Sequence, residues 1–273
     1  MRRATLFFTS ALGVFLNSNT AMSLEITQGQ FLNVTGEVTF ASKYMTDGFN
    51  IGGNNPVWQP SVGVDLFSTG FSTIFWSAIQ LNRNNQQYDE YDFIAQYGHD
   101  FFLKKQYAIN LHGSFDYWTF PNSNVADYDA IAPQRMRGNK IAAGITAPHL
   151  IPIGDSFLIP SYNAYYNLYW AQNRPDRFEG GTRHELLLQY SYAIRPFIPG
   201  AKAHYLGASG SINYNDGAFG VTPGWSHATA QVGTSLHALD CVFSLSLNRQ
   251  WSYDPSVDPN QELWTSASVT KQF

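Results

Sequence analysis

His112 and Ser114 stand two residues apart, separated by Gly113. A histidine base beside a serine hydroxyl is the start of a nucleophilic hydrolase, provided a third polar group orients the imidazole. In a strand, residues two apart point the same way. Here that face also carries Asn110 and Asp116, so the pair sits among polar groups. An enzyme that cleaves membrane lipid needs the pair on its greasy side. The polar parity favours a hydrogen-bonded network, and no catalytic residue is assigned.

A larger set of chemically capable residues is Glu37, Lys43, Asp65, Asp92, His112, Asp116, Lys140 and Glu185. Each falls on the polar parity of an alternating segment. If the segments close on themselves, these side chains face an enclosed lumen, where charge selects among ions and solutes. Acids outnumber Lys and Arg five to two in this set, which points to cation preference. The acidic strings DYDA at 127–130 and YDPSVDPNQE at 253–262 offer oxygen ligands of the kind Ca²⁺ takes. They lack EF-hand spacing, and a solvated loop or a lipopolysaccharide-side contact explains them better. There is no phosphate loop, nucleophile elbow or metal-binding histidine pair. Cys241 is the single cysteine, so neither a disulfide framework nor a cysteine-based metal site is expected. No cofactor and no metal are expected.

The elements that position these residues alternate with a period of two. In the first arm Leu32, Val34, Gly36, Val38 and Phe40 oppose Asn33, Thr35, Glu37 and Thr39. A Gly/Asn/Pro-rich link follows over 46–56, and a second arm begins at Trp58. The same texture recurs over 32–44, 58–67, 71–81, 88–99, 107–119, 140–147, 157–170, 184–194, 205–214, 226–236, 242–251 and 263–273. In the fifth, Tyr107, Ile109, Leu111, Phe115 and Tyr117 oppose Asn110, His112, Ser114 and Asp116. Such polar faces are too wet for a dry sandwich core, where each unpaired polar group costs about 1–3 kcal/mol. They suit a lumen. The odd-numbered links are mostly the longer and more polar ones, as in bacterial outer-membrane barrels with long outer loops and short periplasmic turns. Aromatics near segment ends (Tyr44, Trp58, Tyr88, Tyr107, Trp118, Trp170, Trp225, Trp251, Trp264) fit interfacial girdles.

Composition agrees. Only 13% of the 273 residues are charged and 16% are aromatic, yet mean hydropathy is −0.23. That suits strands apolar on one side and polar on the other. Arg2 and Arg3 precede a mostly apolar run over 4–16, and Ala21-Met22-Ser23 places small residues at a cleavage site. Residues 1–23 therefore read as a secretory signal peptide and 24–273 as the mature barrel. No later stretch is apolar enough for a spanning helix, so a membrane form must be a closed barrel. Losing the leader removes two arginines and no acid from a net charge of −4, which argues against nucleic acid as a partner.

Three stretches carry a family resemblance. VTFASKYMTDGFN at 38–50, GGNNPVWQPSV at 52–62 and YDEYDF at 88–93 resemble the TorF-type family of bacterial outer-membrane porins. Asp47 stands where the family usually has an arginine before the turn glycine. The resemblance implies an outer-membrane barrel and a channel, without naming a solute. The fold class expected is all-β, an antiparallel up-and-down transmembrane β-barrel of about twelve strands. Two readings of its inner face stand together: a narrow pore for small solutes, and a lumen plugged by salt bridges in a barrel that acts through its outer loops. Expected partners are outer-membrane lipid, lipopolysaccharide, small solutes and the barrel-assembly machinery, which would meet the terminal aromatic Phe273.

Overall fold

The computed structural model describes residues 24–27, 30–123, 136–168 and 180–273. The expected signal peptide lies outside the described residues, as do the DYDA string and Trp170. Twelve antiparallel strands close into one barrel: β1 Gln30–Ala41, β2 Val57–Leu66, β3 Phe71–Gln80, β4 Glu90–Phe101, β5 Ile109–Phe120, β6 Met136–Thr146, β7 Ser156–Leu168, β8 Gly181–Ile194, β9 Ala203–Asp216, β10 Gly224–Ala238, β11 Cys241–Ser252 and β12 Glu262–Gln272. Each strand pairs with its sequence neighbours. The register Val269↔Val38 between β12 and β1 closes the ring and removes the sheet edges. The Phe273 N–H donates to the Val34 carbonyl at 2.8 Å, carrying that ladder to the last residue.

Closure turns the usual order inside out. Along β11, Leu245 is 56% exposed whereas its neighbour Ser246 is 9% exposed. Phe243, Leu245 and Leu247 look outward, while Ser246, Asn248 and Gln250 are buried inside. The same holds on β5, where Leu111 and Phe115 are exposed and Asp116 is buried. Period-two alternation is what places every polar residue of a strand on one wall. Outward aromatics gather near strand ends: Trp58, Tyr117, Tyr166, Trp225 and Trp251 at one end, Phe71, Tyr97, Phe101 and Tyr192 at the other.

The two ends differ. One has short connections, including the two-residue β10–β11 turn Leu239-Asp240, whose φ values of 53° and 57° suit a type I′ hairpin. The opposite end carries the longer connections, beginning with residues 42–56 between β1 and β2. That link contains a miniature hairpin, Met45–Thr46 against Phe49–Asn50, turning at Asp47-Gly48 with φ of 50° and 92°.

Several sequence expectations are corrected. The first segment stops at Ala41, because the chain leaves the wall and turns into the lumen. Tyr44 is therefore 1% exposed in the interior and takes no part in a girdle. Trp118 and Trp264 also face inward; Trp264 is buried and Trp118 packs against an interior apolar cluster. The sixth segment begins at Met136 and the eighth at Gly181, earlier than the expected 140 and 184. Charged and polar residues such as Arg137, Asn139 and Arg183 make strand ends look like loop.

Candidate functional site: a charged constriction in the lumen

The 42–56 hairpin bridges the lumen between two walls of different chemistry. On one side Tyr44 is packed with Ala41, Val57, Ala78 and Phe120, with Ile51, Trp76 and Trp118 against the cluster. Small residues Ala41, Ala78 and Val57 leave room for the Tyr44 ring, whose centroid lies 6.0 Å from that of Trp76. On the other side the tip meets charge. The Arg183 guanidinium donates from Nη2 to Asp47 Oδ1 at 2.6 Å. Lys140 Nζ lies 3.9 Å from Asp47 Oδ2 and 3.2 Å from Asp116 Oδ2. Gln250 Nε2 donates to the Gly48 carbonyl at 2.7 Å.

Strand register assembles this cluster. Asp116 and Lys140 are direct partners across β5 and β6. Tyr165 of β7 faces Arg183 of β8, and the guanidinium lies over its ring, 4.1 Å from the centroid. Arg183 Nη1 donates to Asn213 Oδ1 at 2.7 Å. The acids Glu90 and Asp92 come from β4, so acidic side chains line the β4–β5 wall and basic ones project from β6 and β8. Tyr44 donates its hydroxyl to Glu90. Asp92 Oδ1 and Asp116 Oδ1 are buried with no hydrogen-bond partner among the described residues.

Two groups on the hairpin have displaced proton affinities. Burial pushes the Asp47 carboxyl up, but Arg183 and Lys140 outweigh it and hold the group below the usual carboxylate range. Burial, then the Glu90 and Asp92 charges, push the Tyr44 phenol well above its ordinary value. Tyr44 therefore stays a neutral donor while Asp47 stays an anion.

Toward the short-turn end the wall carries a chain of polar contacts. Asn110 Nδ2 donates to Asp100 Oδ1 at 2.8 Å. His112 Nδ1 lies 3.2 Å from Asn110 Oδ1 and His112 Nε2 lies 2.9 Å from Asn163 Oδ1. Asn163 Nδ2 and the Tyr165 hydroxyl donate to Glu185 Oε2 at 3.1 and 3.0 Å. Both His112 nitrogens thus meet asparagine side chains on the lumen wall, away from lipid.

The eight sequence candidates separate into groups. Asp92, Asp116 and Lys140 meet in the constriction. His112 and Glu185 belong to the polar chain beside it. Glu37 lies apart, accepting from Thr39 Oγ1 and Thr270 Oγ1 at 3.0 Å each. Asp65 accepts the Ser68 N–H at 2.8 Å and so caps the β2–β3 turn. Lys43 lies beyond β1 and pairs with Glu262, at the rim. Four residues of the constriction were missed. Arg183 fell one residue before the expected strand, and Glu90 and Tyr165 were on the right parity but not singled out. Asp47 was passed over in a link, although Asp-Gly is the strongest short hairpin signal.

No family model matches the chain, and no curated protein matches it. Solved structures do. The NanC porin shares 10% identity with a TM-score of 0.50, over 88% of this chain and 98% of that one. LpxR from Salmonella typhimurium shares 10% identity with a TM-score of 0.49, over 87% and 99% of the two chains. The beta domain of the Bordetella autotransporter BrkA shares 9% identity with a TM-score of 0.47, over 88% and 98%. Likeness at this identity bears on fold alone, and the fold is that of a bacterial outer-membrane β-barrel.

Proposed function

We propose that this protein is a narrow outer-membrane channel for passive diffusion of small solutes, with the 42–56 hairpin narrowing one mouth. The observation that carries the reading is the state of the inner wall away from the hairpin. Gln96, Asn110, His112, Ser114, Gln189, Ser209 and Gln231 all point inward and all remain partly exposed. Polar groups that keep solvent-accessible surface inside a closed barrel line a space that water can fill. Twelve strands enclose a smaller lumen than the 16–18 strands of open porins, which suits small solutes only. In this reading Glu37, Asp92, His112, Asp116, Lys140 and Glu185 line the path, Lys43 sits at its rim and Asp65 at its far turn. The TorF-type resemblance over 38–50, 52–62 and 88–93 supports the same assignment. Lipopolysaccharide around the loop end and insertion through the barrel-assembly machinery belong to it, after removal of residues 1–23. No catalytic step is part of the proposal.

A second reading is favoured by one observation: the hairpin crosses the lumen and is anchored on both walls. A barrel closed in this way would act through its outer loops. Liposome swelling with neutral solutes of graded size separates the two. Swelling that falls off with solute size is expected for the channel. No swelling with any solute, from liposomes that contain folded barrel, overturns it.

A further inference from the structure

We propose that the constriction is a binding site for a small zwitterion, one molecule carrying a carboxylate and an ammonium group, and that Asp47 occupies the carboxylate position when the solute is absent. The inference rests on the channel reading and names its solute class.

Arg183 is fixed on two sides, by Asn213 Oδ1 at 2.7 Å and by the Tyr165 ring at 4.1 Å. Lys140 is fixed by Asp116 at 3.2 Å. Both cations also reach one carboxylate, Asp47, through Arg183 Nη2 at 2.6 Å from Oδ1 and Lys140 Nζ at 3.9 Å from Oδ2. Arg183 Nε is buried beside them with no partner among the described residues, so the guanidinium fork keeps a second donor for a carboxylate ligand. All the holding groups belong to the barrel wall, whereas the carboxylate comes from a connecting loop. The wall thus presents a carboxylate-binding arrangement that is filled by a connecting segment of the same chain.

The opposite pole is also incomplete. Asp116 is 4% exposed, and its Oδ1 lacks a partner, as does Asp92 Oδ1. A buried carboxylate oxygen without a donor is a defined position for an N–H group. The hairpin supplies a donor to this acidic wall as well, through the Tyr44 hydroxyl to Glu90. One loop therefore presents a carboxylate to the basic pole and a donor to the acidic pole. A zwitterion presents both in a single small molecule. A simple anion would fill the basic pole but leave the bare oxygens unmet and face the Asp116 carboxylate. A simple cation would fail at Arg183. The poles are close, because Lys140 touches Asp116 and Asp47 at once. The fitting ligand is a short-chain amino acid. A site shared with a competing loop binds weakly enough to release its solute, as conduction requires.

The test uses the full barrel in detergent, titrated with γ-aminobutyrate, butyrate and butylamine by calorimetry. Single-channel recordings are made on the same preparation. Saturable binding of γ-aminobutyrate is expected, about tenfold tighter than either singly charged analogue. Asp47→Asn removes the internal competitor and should tighten binding about tenfold, since a site blocked most of the time loses affinity in proportion. Asp116→Asn removes the carboxylate that meets the ammonium and also frees Lys140, so it should weaken γ-aminobutyrate binding about tenfold and abolish its preference over butyrate. Equal affinity for butyrate and γ-aminobutyrate, no tightening in Asp47→Asn, or no saturable binding would each overturn the inference. A barrel that conducts without binding overturns the zwitterion site and leaves the channel standing. One that binds without conducting supports the site and removes the channel.

Discussion

Arg183 shows how one lumen side chain can tie several parts of the fold together. It is 4% exposed, carries a full charge and answers to Asp47, Asn213 and Tyr165 together. Losing one partner of a buried ion pair strands the other, at a cost of roughly 3–5 kcal/mol. Arg183→Ala is expected to destabilise the barrel by about that amount in urea unfolding. Arg183→Gln with Asp47→Asn should cost less than Arg183→Ala alone, because no unpaired charge remains. Asp47 also sets a pH dependence. Its folded-state carboxyl is held below the ordinary carboxylate range, so its contribution to docking is complete above the unfolded value of about 3.9. That contribution is lost as pH falls through the depressed folded value. Conductance should therefore rise on acidification below about pH 4 in the wild type. Asp47→Asn should show high conductance at neutral pH and no such acid step. An acid step of equal size in Asp47→Asn would assign it to the wall carboxylates instead.

Among the elements, the twelve strands were legible in the sequence and the hairpin that crosses them was not. Alternation in stretches such as Val242–Trp251 is a local property, and it fixes both the strand and the face that meets lipid. The 42–56 link has no such period, and its fold depends on what lies across the lumen. Tyr44 reads as a girdle tyrosine until the interior formed by Ala41, Val57 and Ala78 is known. Arg183 reads as loop because a lone charge at a strand end looks solvated, whereas its partner is 136 residues away in sequence. The constriction was half visible for the same reason: Asp92, Asp116 and Lys140 follow from parity, but the contacts that gather them do not. Gly48 gives the hairpin its own test. Its φ is +92°, and a Cβ there would meet the His227 ring and Val257. Gly48→Ala adds left-handed strain of about 1–2 kcal/mol to that clash. The hairpin should lift while the barrel stays intact, seen as higher conductance with unchanged far-UV circular dichroism and heat-modifiable mobility.

At the level of the whole molecule, the barrel is apolar outside and polar inside, and neighbouring residues of one strand live in opposite solvents. Val232 is 56% exposed on the outer face near the middle of β10, and Gln231 beside it faces the lumen. Val232→Arg should cost roughly 2–4 kcal/mol of unfolding free energy in lipid. Gln231→Arg should cost under about 1 kcal/mol, since a wet wall tolerates the charge. Similar costs for the two would place the wrong face toward lipid. The lumen itself is addressed by planar-bilayer recording of the wild type beside a barrel in which residues 45–50 are replaced by a Gly-Ser turn. Small conductance steps in the wild type and several-fold larger, steady ones in the replaced barrel are expected if the hairpin narrows a water-filled path. A replaced barrel that is folded, inserted and electrically silent would contradict the presence of that path.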